Sequence, residues 1–115
     1  MAAPADIQRI QDALTLVNQA IPVVQAAVAE AQRPEDKLAL TETGIMLVNI
    51  QTTLTQALIA TDDNIFLADT AKLRAQAGIL QAQASQIQNI VNTVGQIAQV
   101  VGWLVQLLAI VGGLP

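Results

Sequence analysis

The stretch FLADTAKLRAQAGILQAQASQIQNIVNTVGQIAQVVGWLVQLL, residues 66–108, decides the fold. Phe66, Leu73, Leu80, Ile87, Val94, Val101 and Leu108 stand seven residues apart. Four residues after each of the first six come Thr70, Ala77, Ala84, Val91, Ala98 and Val105. Alternating steps of four and three keep one face of an α-helix turned towards a neighbour, which is the spacing of left-handed helix packing. This seam has a large side and a small side, so a partner helix can approach closely.

Working back from that stretch, no segment alternates apolar and polar residues with the period of two that a strand requires. Ile7, Ile10, Leu14, Val17, Ile21, Val24, Val28 and Ala31 make a second seam of threes and fours. Pro22 lies inside it and removes one backbone hydrogen bond, but the register continues across it, so a kink is expected rather than a break. Between these two seams, Leu40, Leu47, Ile50 and Leu54 form one apolar stripe, and Leu38, Ile45, Val48 and Ile59 form another. A helix with two stripes calls for two partners, which predicts a central position for this segment.

Punctuation falls where helices should begin and end. Pro4 and Pro34 suit first turns, with Asp6, Glu35 and Asp36 at the positive ends of the helix dipoles. Thr61-Asp62-Asp63-Asn64 is a cluster of capping residues before Ile65 and Phe66. Gly112-Gly113 with Pro115 is a stop signal. The predicted fold is therefore all-α, an antiparallel three- or four-helix bundle with coiled-coil-like heptad packing in one domain over 1–115. Its helices are expected at about 5–32, 35–61, 63–90 and 94–111. The last two are either one helix on the order of 70 Å long at ~1.5 Å per residue, or a pair folded back near Asn89, Asn92 and Gly95. The unbroken heptad argues for continuity. Burial of the apolar end argues for the fold-back, and tips the expectation towards four helices.

Composition narrows the function. The 115 residues include no histidine, cysteine or tyrosine, so the commonest general base, the thiolate ligands and the disulfide framework are all missing. Ser85, the only serine, has no histidine to activate it. Glu35-Asp36 and Asp62-Asp63 lack the ligand number and spacing of a calcium loop and read as helix caps. Gly95 and Gly102 do not make a phosphate loop, having no strand before them and no adjacent Lys-Thr. Arg9 with Asp12, and Asp69 with Lys72, read as ordinary surface ion pairs. The expectation is a protein that is not an enzyme and uses no cofactor and no metal.

Net charge is −4 and the five cations, Arg9, Arg33, Lys37, Lys72 and Arg74, are scattered, which argues against nucleic acid as a partner. Charged residues make up 12%, about half the usual share. Arg74 is the last charged side chain, and residues 13–29 and 43–61 are also uncharged. Residues 100–111, VVGWLVQLLAIV, are apolar nearly all round, with Gln106 the one strongly polar side chain. Val94 to Leu114 approaches the ~20 residues of a membrane span, but Gln96, Gln99 and Gln106 interrupt it and no Lys or Arg flanks it.

The expected function is that of a helical interaction protein. Its uncharged C-terminal helix mediates oligomerisation or binds a lipid or other hydrophobic surface, pore formation included, with Trp103, Leu104, Leu107, Leu108 and Val111 as the contact patch. The alternative is a self-assembling structural subunit of a filament or shell. A homo-oligomer is the expected partner state, with a membrane or hydrophobic surface as the other partner. MAAPADIQ has no basic region followed by an apolar run and does not read as a secretory signal. The compartment stays open, with secretion and membrane association both compatible with the composition.

Overall fold

The computed structural model describes residues 3–90 and 97–114. Four helices are present among them: α1 (Pro4–Glu30), α2 (Pro34–Leu58), α3 (Asp63–Gln88) and α4 (Ile97–Gly112). They pack antiparallel. Each touches the helix next to it in sequence, and α4 closes the ring by lying between α3 and α1. The bundle measures 46 × 18 × 18 Å. Its long dimension exceeds by a few ångströms the ~40 Å of the 27-residue α1 at ~1.5 Å per residue.

Local chemistry sets the helix ends. Pro4 and Pro34 occupy first turns, where their missing N–H groups have no intrahelical partner to lose. The Asp62 side chain caps α3 by accepting from the amides of Asn64 at 2.7 Å and Ile65 at 3.4 Å. α4 stops at Gly112, but neither Gly112 nor Gly113 takes a positive φ. The chain ends instead in tight turns, Gly113 N–H to Ile110 O and Leu114 N–H to Val111 O, both 3.1 Å. α1 runs unbroken through Pro22, whose ring lies on the exposed face.

The choice between one long helix and a fold-back is resolved as four helices. α4 packs against α1 as well as α3, which a continuous extension of α3 could not do. The expected turn at Asn92 and Gly95, the expected start at Val94 and the seam positions Val91 and Val94 lie outside the described residues.

The core is aliphatic. Ile10, Val17, Val24, Leu40, Leu47, Ile50, Leu54, Leu73, Leu80, Ile87, Ile97, Leu104 and Leu107 are buried, joined by Phe66. Thr43, Thr53 and Thr70 are buried too, and their hydroxyls donate to carbonyls in their own helices, Ala39, Asn49 and Leu67, at 2.8–3.1 Å. No polar demand is thereby left in the core by these three side chains.

Three expectations need correcting. In α1 the inward stripe is Ile10, Ala13, Val17, Ala20, Val24, Ala27 and Ala31, whereas Ile7, Leu14, Ile21 and Val28 are only half-buried. Alanine on the inner side lets the backbones approach, and the larger residues cover the edge. In α4 the inward residues are Ile97, Val100, Leu104, Leu107 and Val111, with Leu114 buried just beyond it, so the phase of the α3 seam does not carry over to Ala98, Val101, Val105 and Leu108. A helix that folds back meets a new pair of neighbours and sets its own face. Finally, α2 is not central. It contacts α1 and α3 beside its first stripe, while Leu38, Ile45, Val48 and Ile59 face outwards. Four helices arranged in a ring leave no central position.

Candidate interaction surface

The five residues read as a contact patch divide between core and flank. Leu104, Leu107 and Val111 are buried against the rest of the bundle. Trp103 and Leu108 are half-buried and pack on that core. The outer surface of α4 is made instead of Ala98, Gln99, Gly102, Val105, Gln106, Ala109 and Gly112. Val105 is its one large exposed apolar residue, at 59%. α4 is therefore apolar nearly all round in sequence, but most of its apolar bulk is already covered in the monomer.

More exposed apolar residues lie on α2 than on α4, and α3 also carries three, Ile65, Leu67 and Ile79. Leu38, Ile45 and Ile59 are more than half exposed and Val48 is 43% exposed. Thr52 and Thr55 lie on the same outward side, and their hydroxyls donate to Val48 O at 3.1 Å and Gln51 O at 2.9 Å. With the hydroxyls satisfied inside the helix, these threonines add methyl groups to the stripe. The four apolar residues are visible in the sequence, but there they point to a second helix of the same chain. The missing signal was the ring arrangement, which gives each helix two neighbours and leaves its outer side bare.

Beside this stripe runs an open groove of about 400 Å³ between α1 and α2. Val24, Val28, Leu40 and Gly44 line its apolar part, Ile45 and Val48 form one lip, and Gln25, Thr41 and Asn49 supply the polar edge. Gly44 deepens the groove: a Cβ at that position would lie 3.5 Å from Val24 Cγ1, an ordinary contact, so the space exists because the side chain is absent. Further along the same junction Gln51 Nε2 donates to Asn18 Oδ1 at 2.6 Å. No charged residue occurs in 13–29 or 43–61, so the middle of the α1–α2 face is neutral.

The charged groups lie outside these two stretches. Arg9 pairs with Asp6 at 3.3 Å rather than with Asp12, which accepts from Gln8 at 2.9 Å. Among the described residues no ion pair joins Asp69 to Lys72. Arg33 Nε donates to Glu35 Oε1 at 2.9 Å at the start of α2. The Glu35 carboxyl is held below the usual carboxylate range, first by its own amide N–H and then by Arg33. The Glu35 hydrogen bond and charge raise the Arg33 guanidinium in turn. Among the described residues no three carboxylates come together as a metal site. One helix among them, α1, is long and apolar enough to cross a membrane; α4, at 16 residues, is shorter than a span.

Comparison with known protein families, with curated proteins and with solved structures gives no match.

Proposed function

We propose that this chain is a non-enzymatic helical interaction protein that works through uncharged apolar surfaces, by oligomerisation or by contact with a hydrophobic surface. The observation that carries this reading is the outer side of α2, where Leu38, Ile45, Val48 and Ile59 lie bare. Single apolar residues are ordinary on a protein surface, but several on one side of a helix, with no charge in residues 43–61, support a contact. The lack of histidine, cysteine and tyrosine supports the non-enzymatic part.

Coiled-coil-like heptad packing belongs to the same reading. Buried positions recur at steps of three and four in α1 and α4, as in Ile10, Ala13, Val17, Ala20, Val24 and Ala27 of α1, and with one gap, from Leu73 to Leu80, in α3. Outward positions then recur with the same period, and the bundle presents to a partner the kind of ridge that it uses within itself.

The C-terminal helix remains part of the proposal. Trp103 and Leu108 are reachable at its flank, whereas Leu104, Leu107 and Val111 become available only if α4 leaves the bundle. That second route is how α4 would reach a membrane or form a pore. Assembly into a filament or shell is the rival form of self-contact. Sedimentation of the full chain, paired with flotation on phosphatidylcholine vesicles, tests the reading. Self-association or vesicle binding supports it, and a strictly monomeric chain that stays with the aqueous fraction sinks it.

A further inference from the structure

We infer that the seam between α2 and α3 is a built-in weak line, along which the bundle parts before any other pair of neighbouring helices separates.

Three side chains of α3 select this seam. Asp69, Gln76 and Gln83 stand seven residues apart, so they fall on one side of the helix. Gln83 Nε2 reaches the Glu42 carbonyl oxygen of α2 at 3.5 Å, and Asp69 lines a hollow with Gln56 of α2 and with Ile59 and Ala60 just after it. That side of α3 is therefore turned to α2. The other flank, with Arg74, Ala77, Gly78 and Gln81, meets α4. In each of the three side chains one oxygen is shut off from solvent and accepts no hydrogen bond: Asp69 Oδ2, Gln76 Oε1 and Gln83 Oε1. Among the described residues that are not exposed, no other side-chain nitrogen or oxygen is so placed. A buried acceptor without a donor keeps the cost of leaving water and recovers none of it. Parting α2 from α3 returns these oxygens to water, which lowers the cost of opening here and at no other junction.

The other junctions are tied more closely. Gln51 of α2 donates to Asn18 of α1 at 2.6 Å. Arg9 and Arg74 bind the end of α4 to α1 and α3 through the carbonyls of Gly113 and Leu114. Across the α2–α3 seam, the 3.5 Å from Gln83 to Glu42 is longer than an ordinary N–H···O bond. The buried polar side chains of the described core, Thr43, Thr53 and Thr70, also lie on α2 and α3 and on neither other helix. Their hydroxyls bond within their own helices, so none of them ties one helix to another.

The chain fixes where the hinge lies. Residues 59–62 join α2 to α3 at one end, so the seam opens from the other, where Glu42 and Gln83 meet. Leu40 and Ile87, both fully buried near that end, are the first core residues uncovered. The rest of the apolar core opposes opening, which makes the parted state a minor population of the folded chain.

The test measures distances between pairs of nitroxide probes by pulsed electron paramagnetic resonance. The chain has no cysteine of its own, so Ala26→Cys, Thr41→Cys, Gln86→Cys and Gln99→Cys, taken two at a time, place probes at exposed positions near that end of α1, α2, α3 and α4. Circular dichroism checks that each labelled chain is folded. Denaturant is added to concentrations below the unfolding midpoint. The expected result is a longer-distance population for the 41–86 pair while 26–41, 26–99 and 86–99 keep theirs. Gln76→Leu with Gln83→Leu should shrink that population by on the order of 10-fold or more, since two unpartnered oxygens are gone. Gln81→Leu, the same change on the α4 flank, should leave it as it was. Earlier lengthening of any other pair overturns the inference, as does loss of all four distances together. So does an opened 41–86 population that Gln76→Leu with Gln83→Leu leaves unchanged or that Gln81→Leu reduces equally.

Discussion

Arg9 donates from Nη1 to the carbonyl oxygen of Gly113 at 3.1 Å, joining the first turns of α1 to the end of α4 across 104 residues of sequence. Arg74 of α3 makes a matching bond from Nη2 to the Leu114 carbonyl. α4 has no basic residue in its own last turn. The charge-free tail thus takes the cations that suit a helix C-terminus from its two neighbours.

Removing these donors should loosen the end of α4 without unfolding the bundle. Arg74→Ala is expected to cost about 1 kcal/mol, and Arg9→Ala less, because Arg9 is more exposed to solvent. Amide hydrogen exchange is the sharper measurement. Protection should fall for the last turn of α4 and stay unchanged at Leu47 and Leu73, which are buried in other helices. Equal loss of protection everywhere would mean that the two arginines hold the whole fold rather than one end.

The Asp62 carboxylate satisfies two amides at the start of α3. Asp62→Ala leaves them to water and should cost about 1 kcal/mol, a drop in Tm of roughly 4 °C for a domain of this size. Asp62→Asn or Asp62→Ser should recover most of the loss, since either side chain can accept the same bonds. A scan of Tm across the three variants checks the order.

These ends were legible in the sequence because they depend on local chemistry. Pro4, Pro34 and Asp62 act within one turn of themselves, and the structure places each where the sequence put it. Phe66, Leu73, Leu80 and Ile87 were legible for a similar reason, since one strong period fixes one face. The inward face of α1 was not. Its apolar arc is wide, and Ala13, Ala20 and Ala27 rank below Leu14 and Ile21 in hydrophobicity but above them in how closely they let helices approach. The partner decides that choice, and the partner is not written into α1. The same holds for α2: its second stripe was visible, but whether another helix of the same chain covers it depends on the number of helices and their arrangement.

Gly78 and Gly102 stand mid-helix, and a Cβ added at either would meet no atom within 4 Å. Glycine there costs conformational entropy and gains no close approach within the monomer. Gly78→Ala and Gly102→Ala should each stabilise the chain by roughly 0.5–1 kcal/mol, read by denaturant or thermal unfolding. A loss of stability at Gly102 that grows with protein concentration would show that the outer side of α4 is packed tightly against another copy, which would favour α4 over α2 as the contact.

The pH dependence of stability follows from which groups are present and from the start of α2. With no histidine or cysteine, no side-chain type in the chain ordinarily titrates between pH ~5 and ~8, so Tm should be flat across that window. Below it, Glu35 has a defined sign. Its carboxyl is depressed in the folded chain, chiefly by its own amide and then by Arg33. A depressed carboxylate stabilises the fold fully above its unfolded value of about 4.3 and loses that contribution as pH falls through the lower folded value. Wild type and Glu35→Gln should therefore differ in Tm at pH 7 and converge as pH falls below about 4. The pair is fully exposed, so the difference should be small and should shrink further in high salt. A gap between the two chains that stays constant with pH would show that Glu35 acts through packing or capping geometry rather than through its charge.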